Sequence, residues 1–263
     1  MIVATAGLKG GTGKTMVSVN MAAIISEGAR VLFIDCDPQA NSTSGFGVDT
    51  SVVGRPSLAD VLRKNSVITP TDVIIQHPLE GLPNLDLIPS ALSLTLVGEE
   101  MITYPGREHV LSRWVDSHYG ELSAYDYIFM DTAPSLGQIN QNAFLVADSI
   151  ILITNVSRNG LEGVRMLTAY WEEIRQVFEK PDNIKALVLN NYDRRLKISR
   201  ELYEFLSDDD EFSDLFVEPA IYSRKDMIDT EIDQTPINLL YPGSESHNLF
   251  VELIDNLKMK GAL

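Results

Sequence analysis

Lys9-Gly10-Gly11-Thr12-Gly13-Lys14-Thr15 stands between a short apolar run, Ile2 to Ala6, and a run that predicts a helix from Thr15 to about Glu27, ended by Gly28. A glycine-rich loop between a strand and a helix is the setting in which a backbone can cradle phosphates. The glycines let successive N–H groups turn toward phosphate oxygens, and the helix N-terminus adds partial positive charge. Gly10, Gly11, Thr12 and Gly13 supply that cradle. Lys14 is placed to reach the β- and γ-phosphates of a nucleotide, and the Thr15 hydroxyl to ligate Mg²⁺.

The pattern on either side extends the same architecture. Val31 to Ile34 reads as a buried strand ending at Asp35, and further strands are expected at Leu85 to Ile88, Tyr127 to Met130, Ser149 to Thr154 and Lys185 to Asn190. Leu161, Val164, Leu167, Trp171, Ile174 and Phe178 recur at spacings of three and four, as one helix face requires. Leu249, Phe250, Leu253, Ile254 and Leu257 do the same near the C-terminus. Apolar strands alternating with helices predict an α/β fold: one domain over residues 1–263, with a mostly parallel twisted sheet covered by helices on both faces. Tyr127 to Met130 would deliver Asp131 to the phosphate site as a second Mg²⁺ group.

Composition narrows the function classes. The chain has 263 residues, 44% of them hydrophobic, which suits a globular protein with a sizeable core. A single cysteine, Cys36, excludes an internal disulfide framework, and we read it as a small filler. No apolar run approaches the ~18 residues that span a bilayer, and the first residues lack the pattern of a signal peptide. A cytoplasmic protein without membrane attachment is expected. Net charge is −16, which argues against a nucleic-acid-coated protein on average. The charge is segregated, however. Ser207 to Glu218 holds six acids and no base, whereas Arg194-Arg195-Leu196-Lys197-Ile198-Ser199-Arg200 holds four bases and no acid.

Lys9 sets this loop apart, since an ordinary phosphate loop carries only the second lysine. The segment resembles the deviant phosphate loop of the ParA/MinD superfamily of ATPases. That resemblance implies a P-loop ATPase that dimerises on ATP, with Lys9 reaching across to the partner's phosphates. Asp35-Cys36-Asp37-Pro38-Gln39-Ala40-Asn41 is similar to the Asp-x-Asp-Pro-Gln-x-Asn segment of the ParA branch, which implies that Asp37 orients the attacking water and Asp35 supports Mg²⁺. Tyr125 to Ser135 resembles the Walker B strand and its switch. The superfamily places an adenine-reading asparagine where Asn190 falls, with Asn191 directly after it. Ile221-Tyr222-Ser223-Arg224-Lys225 through Thr235-Pro236-Ile237 resembles the Ile-Pro-Arg-Asn … Lys-Pro-Ile segment of ParA proteins, although Tyr222 replaces a proline and Ser223 an arginine. Met16 replaces a second threonine.

Within the superfamily, the branch is argued from what is present. One cysteine excludes the iron-protein reductases. Lys258 to Leu263 is too short and weakly apolar for a membrane-binding MinD-type tail. The first strand begins at residue 2, so the N-terminal helix-turn-helix of longer partition proteins is not expected. ParA proteins bind DNA without sequence preference, are released on hydrolysis and are stimulated by a ParB-type or cargo-adaptor partner. Arg194, Arg195, Lys197 and Arg200, with Arg224 and Lys225 as neighbours, are the candidate DNA contacts, since lysine and arginine bind phosphates regardless of sequence. The expected protein is a nucleoid-associated DNA-partition ATPase. The alternatives are a protein-cargo or MinD-like positioning ATPase and, from another class, a small-molecule ligase or kinase of the dethiobiotin-synthetase type, which would have no use for Lys9.

Overall fold

The computed structural model describes residues 1–52 and 54–263. Its strands are β1 (Ile2–Ala6), β2 (Val31–Cys36), β3 (Ile75–Gln76), β4 (Leu85–Ile88), β5 (Tyr127–Thr132), β6 (Ser149–Asn155) and β7 (Ile184–Asn190). They form one sheet in the order β3-β4-β2-β5-β1-β6-β7, antiparallel only between β3 and β4. All six strands expected from the sequence are present. β2 and β5 run further than expected because Asp35 pairs with Asp131 and Cys36 with Thr132. β3 was not foreseen: two residues, one half-buried and one exposed, carry no periodicity to read.

The alternation along each strand builds two cores. Ala4, Leu32, Ile34, Met130 and Leu152 pack on one face, while their neighbours Val3, Phe33, Phe129 and Ile151 pack on the other. Helices cover both. Arg158–Val177 buries Val164, Leu167 and Trp171, with Leu161 and Ile174 partly buried along the same stripe. Glu245–Met259 buries Phe250, Leu253, Ile254 and Leu257, and Ala262 and Leu263 join that cluster. Ala262 and Leu263 are thus core residues, whereas Met259 before them is exposed. Among the described residues no helix is long and apolar enough to cross a membrane.

The expected helix from Thr15 to about Glu27 is Lys14–Ile25. The chain then turns, with the Glu27 and Gly28 N–H groups donating to the Ile24 and Ile25 carbonyls, each at 3.1 Å. β1 lies between β5 and β6, so the loop that leaves it emerges among the C-terminal ends of parallel strands. That edge is where open α/β sheets place ligands.

Candidate nucleotide site and basic groove

Strand register assembles the first site. Thr5 of β1 and Asp35 of β2 are both register partners of Asp131 at the end of β5, so three polar side chains share one row. Asp131 is 1% exposed and is surrounded by hydroxyls. Its Oδ2 accepts from Thr15 at 2.8 Å and from Ser42 at 2.6 Å; its Oδ1 accepts from Thr5 and Ser18, each at 3.3 Å. Burial raises the Asp131 carboxyl above its usual range, and the bonds from Ser42 and Thr15 oppose that shift. Lys14 is also buried, and burial lowers its ammonium below the usual value against the pull of Asp131 and Asp37. Lys14 thus opens its helix from within the protein, and the nearby Asp131 and Asp37 charges favour its cationic form. Lys9, by contrast, is exposed.

Asp35 does something more specific than its position suggested. It is fully buried, and both its oxygens are taken by the turn that follows β2. Oδ1 accepts from the Asp37 N–H at 3.0 Å, and Oδ2 accepts from the Thr43 N–H at 2.8 Å and hydroxyl at 2.7 Å. Asp35 thus ties both ends of the turn that presents Asp37. Burial, then the nearby Asp131 charge, pushes the Asp35 carboxyl up to about 7. Asp37 keeps one oxygen on the Gln39 N–H at 2.9 Å. Cys36 between them is buried, and burial also raises its thiol.

Asn190 ends β7 against the phosphate loop. Its Nδ2 donates to the Thr12 carbonyl at 2.8 Å, while its Oδ1 is buried with no protein partner. A Cβ on residue 13 would meet that Nδ2 at 2.1 Å, and Gly13 sits at φ 78°, so only glycine fits there. Asn190 lines a cleft of about 230 Å³ with Gly13, Asn191, Ser223, Met227 and Glu231. A second hollow of about 340 Å³ adjoins it across Met16 and Glu231 and reaches Thr15 and Ser44. Tyr222, at the family's proline, is absent from the cleft lining; it stacks on Tyr192 with ring centres 5.4 Å apart.

That tyrosine pair belongs to a separate groove of about 350 Å³. The Tyr192–Tyr222 bridge brings the two basic segments together, so that Arg194 and Arg195 face Arg224 and Lys225. The groove is less cationic than its sequence. Arg195 makes a two-pronged pair with Asp193, Nη2 to Oδ2 at 2.7 Å. Lys197 lies 3.2 Å from Glu201, and Arg224 pairs with Glu245 at 2.7 Å. Arg200 donates to the Arg194 carbonyl at 2.8 Å, which closes the turn before its own helix, Lys197–Asp208. Among the described residues Arg194, Arg200 and Lys225 have no ion-pair partner.

Several residues of the first site escaped the sequence reading. Ser42, Thr43, Thr5 and Ser18 supply most of the hydroxyls around the two buried aspartates. Ser42 and Thr43 directly follow Asn41, so a hydroxyl run behind the matched segment was the available signal. Asn140 donates to both the Ala133 carbonyl at 2.7 Å and the Ser135 carbonyl at 2.8 Å, fixing the loop after Asp131. Nothing in its spacing marked it.

Comparison with known proteins gives the chain its relatives. A family model described as an AAA domain matches residues 1–185. The sporulation initiation inhibitor Soj of Bacillus subtilis is 28% identical over 261 residues, 99% of each chain. The chromosome partitioning protein ParA of Caulobacter vibrioides is 31% identical over 76% of this chain and 73% of its own. Among solved structures, a complex of Cyanothece McdA with ATP superposes with a TM-score of 0.83 at 20% identity, covering 98% of this chain and 96% of that one; at that identity the likeness shows the fold alone. The family model over residues 1–185 and the identity to ParA show that this chain belongs to that AAA-domain family and, among its members, to the ATPases of the ParA/MinD superfamily.

Proposed function

We propose that the chain is an ATPase that dimerises on ATP, binds DNA without sequence preference in that state and leaves it after hydrolysis stimulated by a ParB-type or cargo-adaptor partner. One observation carries the nucleotide part: the buried Lys14 opens the helix behind a glycine loop, beside the Asp131 carboxylate that already holds the Thr15 hydroxyl. The residues fit the group. Gly10 to Gly13 would cradle the phosphates, Lys14 would neutralise the β- and γ-oxygens, and Thr15 and Asp131 would hold Mg²⁺, with Asp35 supporting from behind. The unpartnered Oδ1 of Asn190 suits an adenine amino group, and Asn190, not the left-handed Asn191, is the better reader because it is fixed on the loop. Bound Mg²⁺ would spread the charge that develops on the phosphates.

The chain's own groups do the rest. Asp37, held by the turn that Asp35 ties, orients the attacking water. Lys9, exposed on the loop rim, is free to reach a partner's phosphates. A ligase would have no role for it. DNA binding at the groove of Arg194, Arg195, Arg224 and Lys225, with Lys197 and Arg200 on the adjoining helix outside the groove lining, would place the dimer on the nucleoid. A protein-cargo positioning ATPase, the alternative reading, would use the same nucleotide site with a different cargo.

Lys14→Ala tests the core of this reading. Removing the cation should abolish ATP affinity measurable by calorimetry in the presence of Mg²⁺. Binding as tight as the parent's would overturn the phosphate-loop assignment.

A further inference from the structure

Arg224 stands in two sites at once. It lines the base cleft with Asn190 and Met227, and it lines the basic groove with Tyr222 and Lys225. It immediately precedes the helix Lys225–Ile232, whose Met227, Ile228 and Glu231 wall the cleft. Its guanidinium is already engaged. Nη1 lies 2.7 Å from Glu245 Oε2, and Nε lies 3.8 Å from Asp226 Oδ1. Glu245 opens the helix Glu245–Met259, where the helix's partial positive charge favours a carboxylate. Glu245 also lines the groove. The pair is surface-lying, with side chains 37% and 57% exposed, so another anion can compete for it.

We propose that Glu245 is a built-in competitor for nucleic-acid phosphates in the basic groove, and that Arg224 is the residue through which cleft and groove communicate. The inference rests on the DNA reading of that groove. A carboxylate oxygen at hydrogen-bond distance occupies a guanidinium as a phosphate oxygen would. While Glu245 and Asp193 hold Arg224 and Arg195, two of the groove's four lining cations are spent on its own acids. A nucleotide in the cleft would lie against Ser223 and Arg224, which line both the cleft and the groove. Filling the cleft and releasing Arg224 from Glu245 are therefore linked. By reciprocity, DNA that takes Arg224 changes nucleotide affinity by the same factor.

The test uses the full chain and a fluorescent random duplex, followed by anisotropy across a salt series with no nucleotide, ADP or ATP. Glu245→Gln should raise nucleotide-free affinity about two- to five-fold, the weight of one exposed ion pair. The log–log salt slope should steepen by about 0.9, one added phosphate contact. The ratio of ATP-bound to nucleotide-free affinity should shrink. Glu252→Gln, an exposed acid on the same helix outside the groove, should give less than half that gain. In an Arg224→Gln background the Glu245→Gln effect should vanish. Should Glu245→Gln melt early, Glu245→Ser removes the same charge and takes its place. A Glu245→Gln protein that binds like a DNA-binding parent overturns the inference and leaves the DNA reading standing. An equal gain without Arg224 does the same. A parent that binds no duplex in any nucleotide state at low salt removes both.

Discussion

Asp131 and Arg195 are both charged residues with close polar partners, and they differ in nearly everything else. Asp131 is sealed in the sheet with four hydroxyls within 3.3 Å, drawn from residues as far apart as Thr5 and Ser42. Arg195 is held by Asp193, two residues away, with 83% of its side chain exposed. A buried carboxylate without partners would be costly, so each hydroxyl around Asp131 is bound to its place by the fold. The surface pair gains little from its contact and yields readily to another anion. The first region is therefore built for one geometry and the second for exchange. Polar density alone does not separate a site from a surface; burial and sequence separation do.

The widest gap between the two regions should appear in turnover. Asp37→Ala removes the water-orienting carboxylate while leaving Lys14, Thr15 and Asp131 in place. By the usual weight of a positioned base, hydrolysis measured by phosphate release should fall about 10²- to 10⁴-fold. ATP binding should survive, and light scattering should show a trapped dimer. No groove substitution should approach that loss in basal rate. Unchanged turnover in Asp37→Ala would dissolve the distinction between the two regions as far as chemistry is concerned.

How far the sequence revealed each region follows from the same contrast. The phosphate loop was legible because its constraint is local: glycines, two lysines and a threonine at fixed spacing, between a strand and a helix. The row of Thr5, Asp35 and Asp131 was not fully legible, because it arises from strand register between segments about 100 residues apart. Asp35 illustrates the limit. Its place beside the loop could be read, but its two bonds to Thr43 could not, since they depend on how the turn folds back. In the groove the basic run was visible, yet its neutralisation was not. Asp193 adjoins the run in sequence, but Glu245 reaches Arg224 from the C-terminal helix. β3 was missed for want of length.

Acid titration should sharpen the comparison next. Asp35 has its carboxyl raised to about 7 from an ordinary value of 3.8, so the folded chain holds a proton there that the unfolded chain has released. Between about pH 4 and pH 7 the folded state binds more protons, and stability should fall as pH rises through that window. The stabilisation is fully present below the unfolded value and is lost by about pH 7. Asp35→Asn should flatten this slope in protein free of nucleotide and Mg²⁺, by an amount on the order of a few kcal/mol between the ends of the window. Urea melts at each pH read it directly. An equal slope in parent and Asp35→Asn would mean that burial does not hold the proton.

The smallest effects belong to the groove, and there the ion pairs make a finer division. Arg194 and Lys225 have no carboxylate partner among the described residues, whereas Arg195 and Lys197 have Asp193 and Glu201. A phosphate that recruits a paired cation must first displace its acid, so unpaired cations should contribute more binding for the same charge. Replacing Arg194 and Lys225 together by glutamine should lower the salt slope of duplex binding by about two contacts, near 1.8 in log–log units. Replacing Arg195 and Lys197 together removes the same formal charge but leaves two released carboxylates in or beside the groove. That pair should weaken low-salt binding through repulsion while changing the slope less. Both doubles should keep thermal stability within about 0.5 kcal/mol of the parent, as exposed positions do. Equal slopes for the two doubles would show that the ion pairs are incidental to binding, and that the groove acts through its net charge alone.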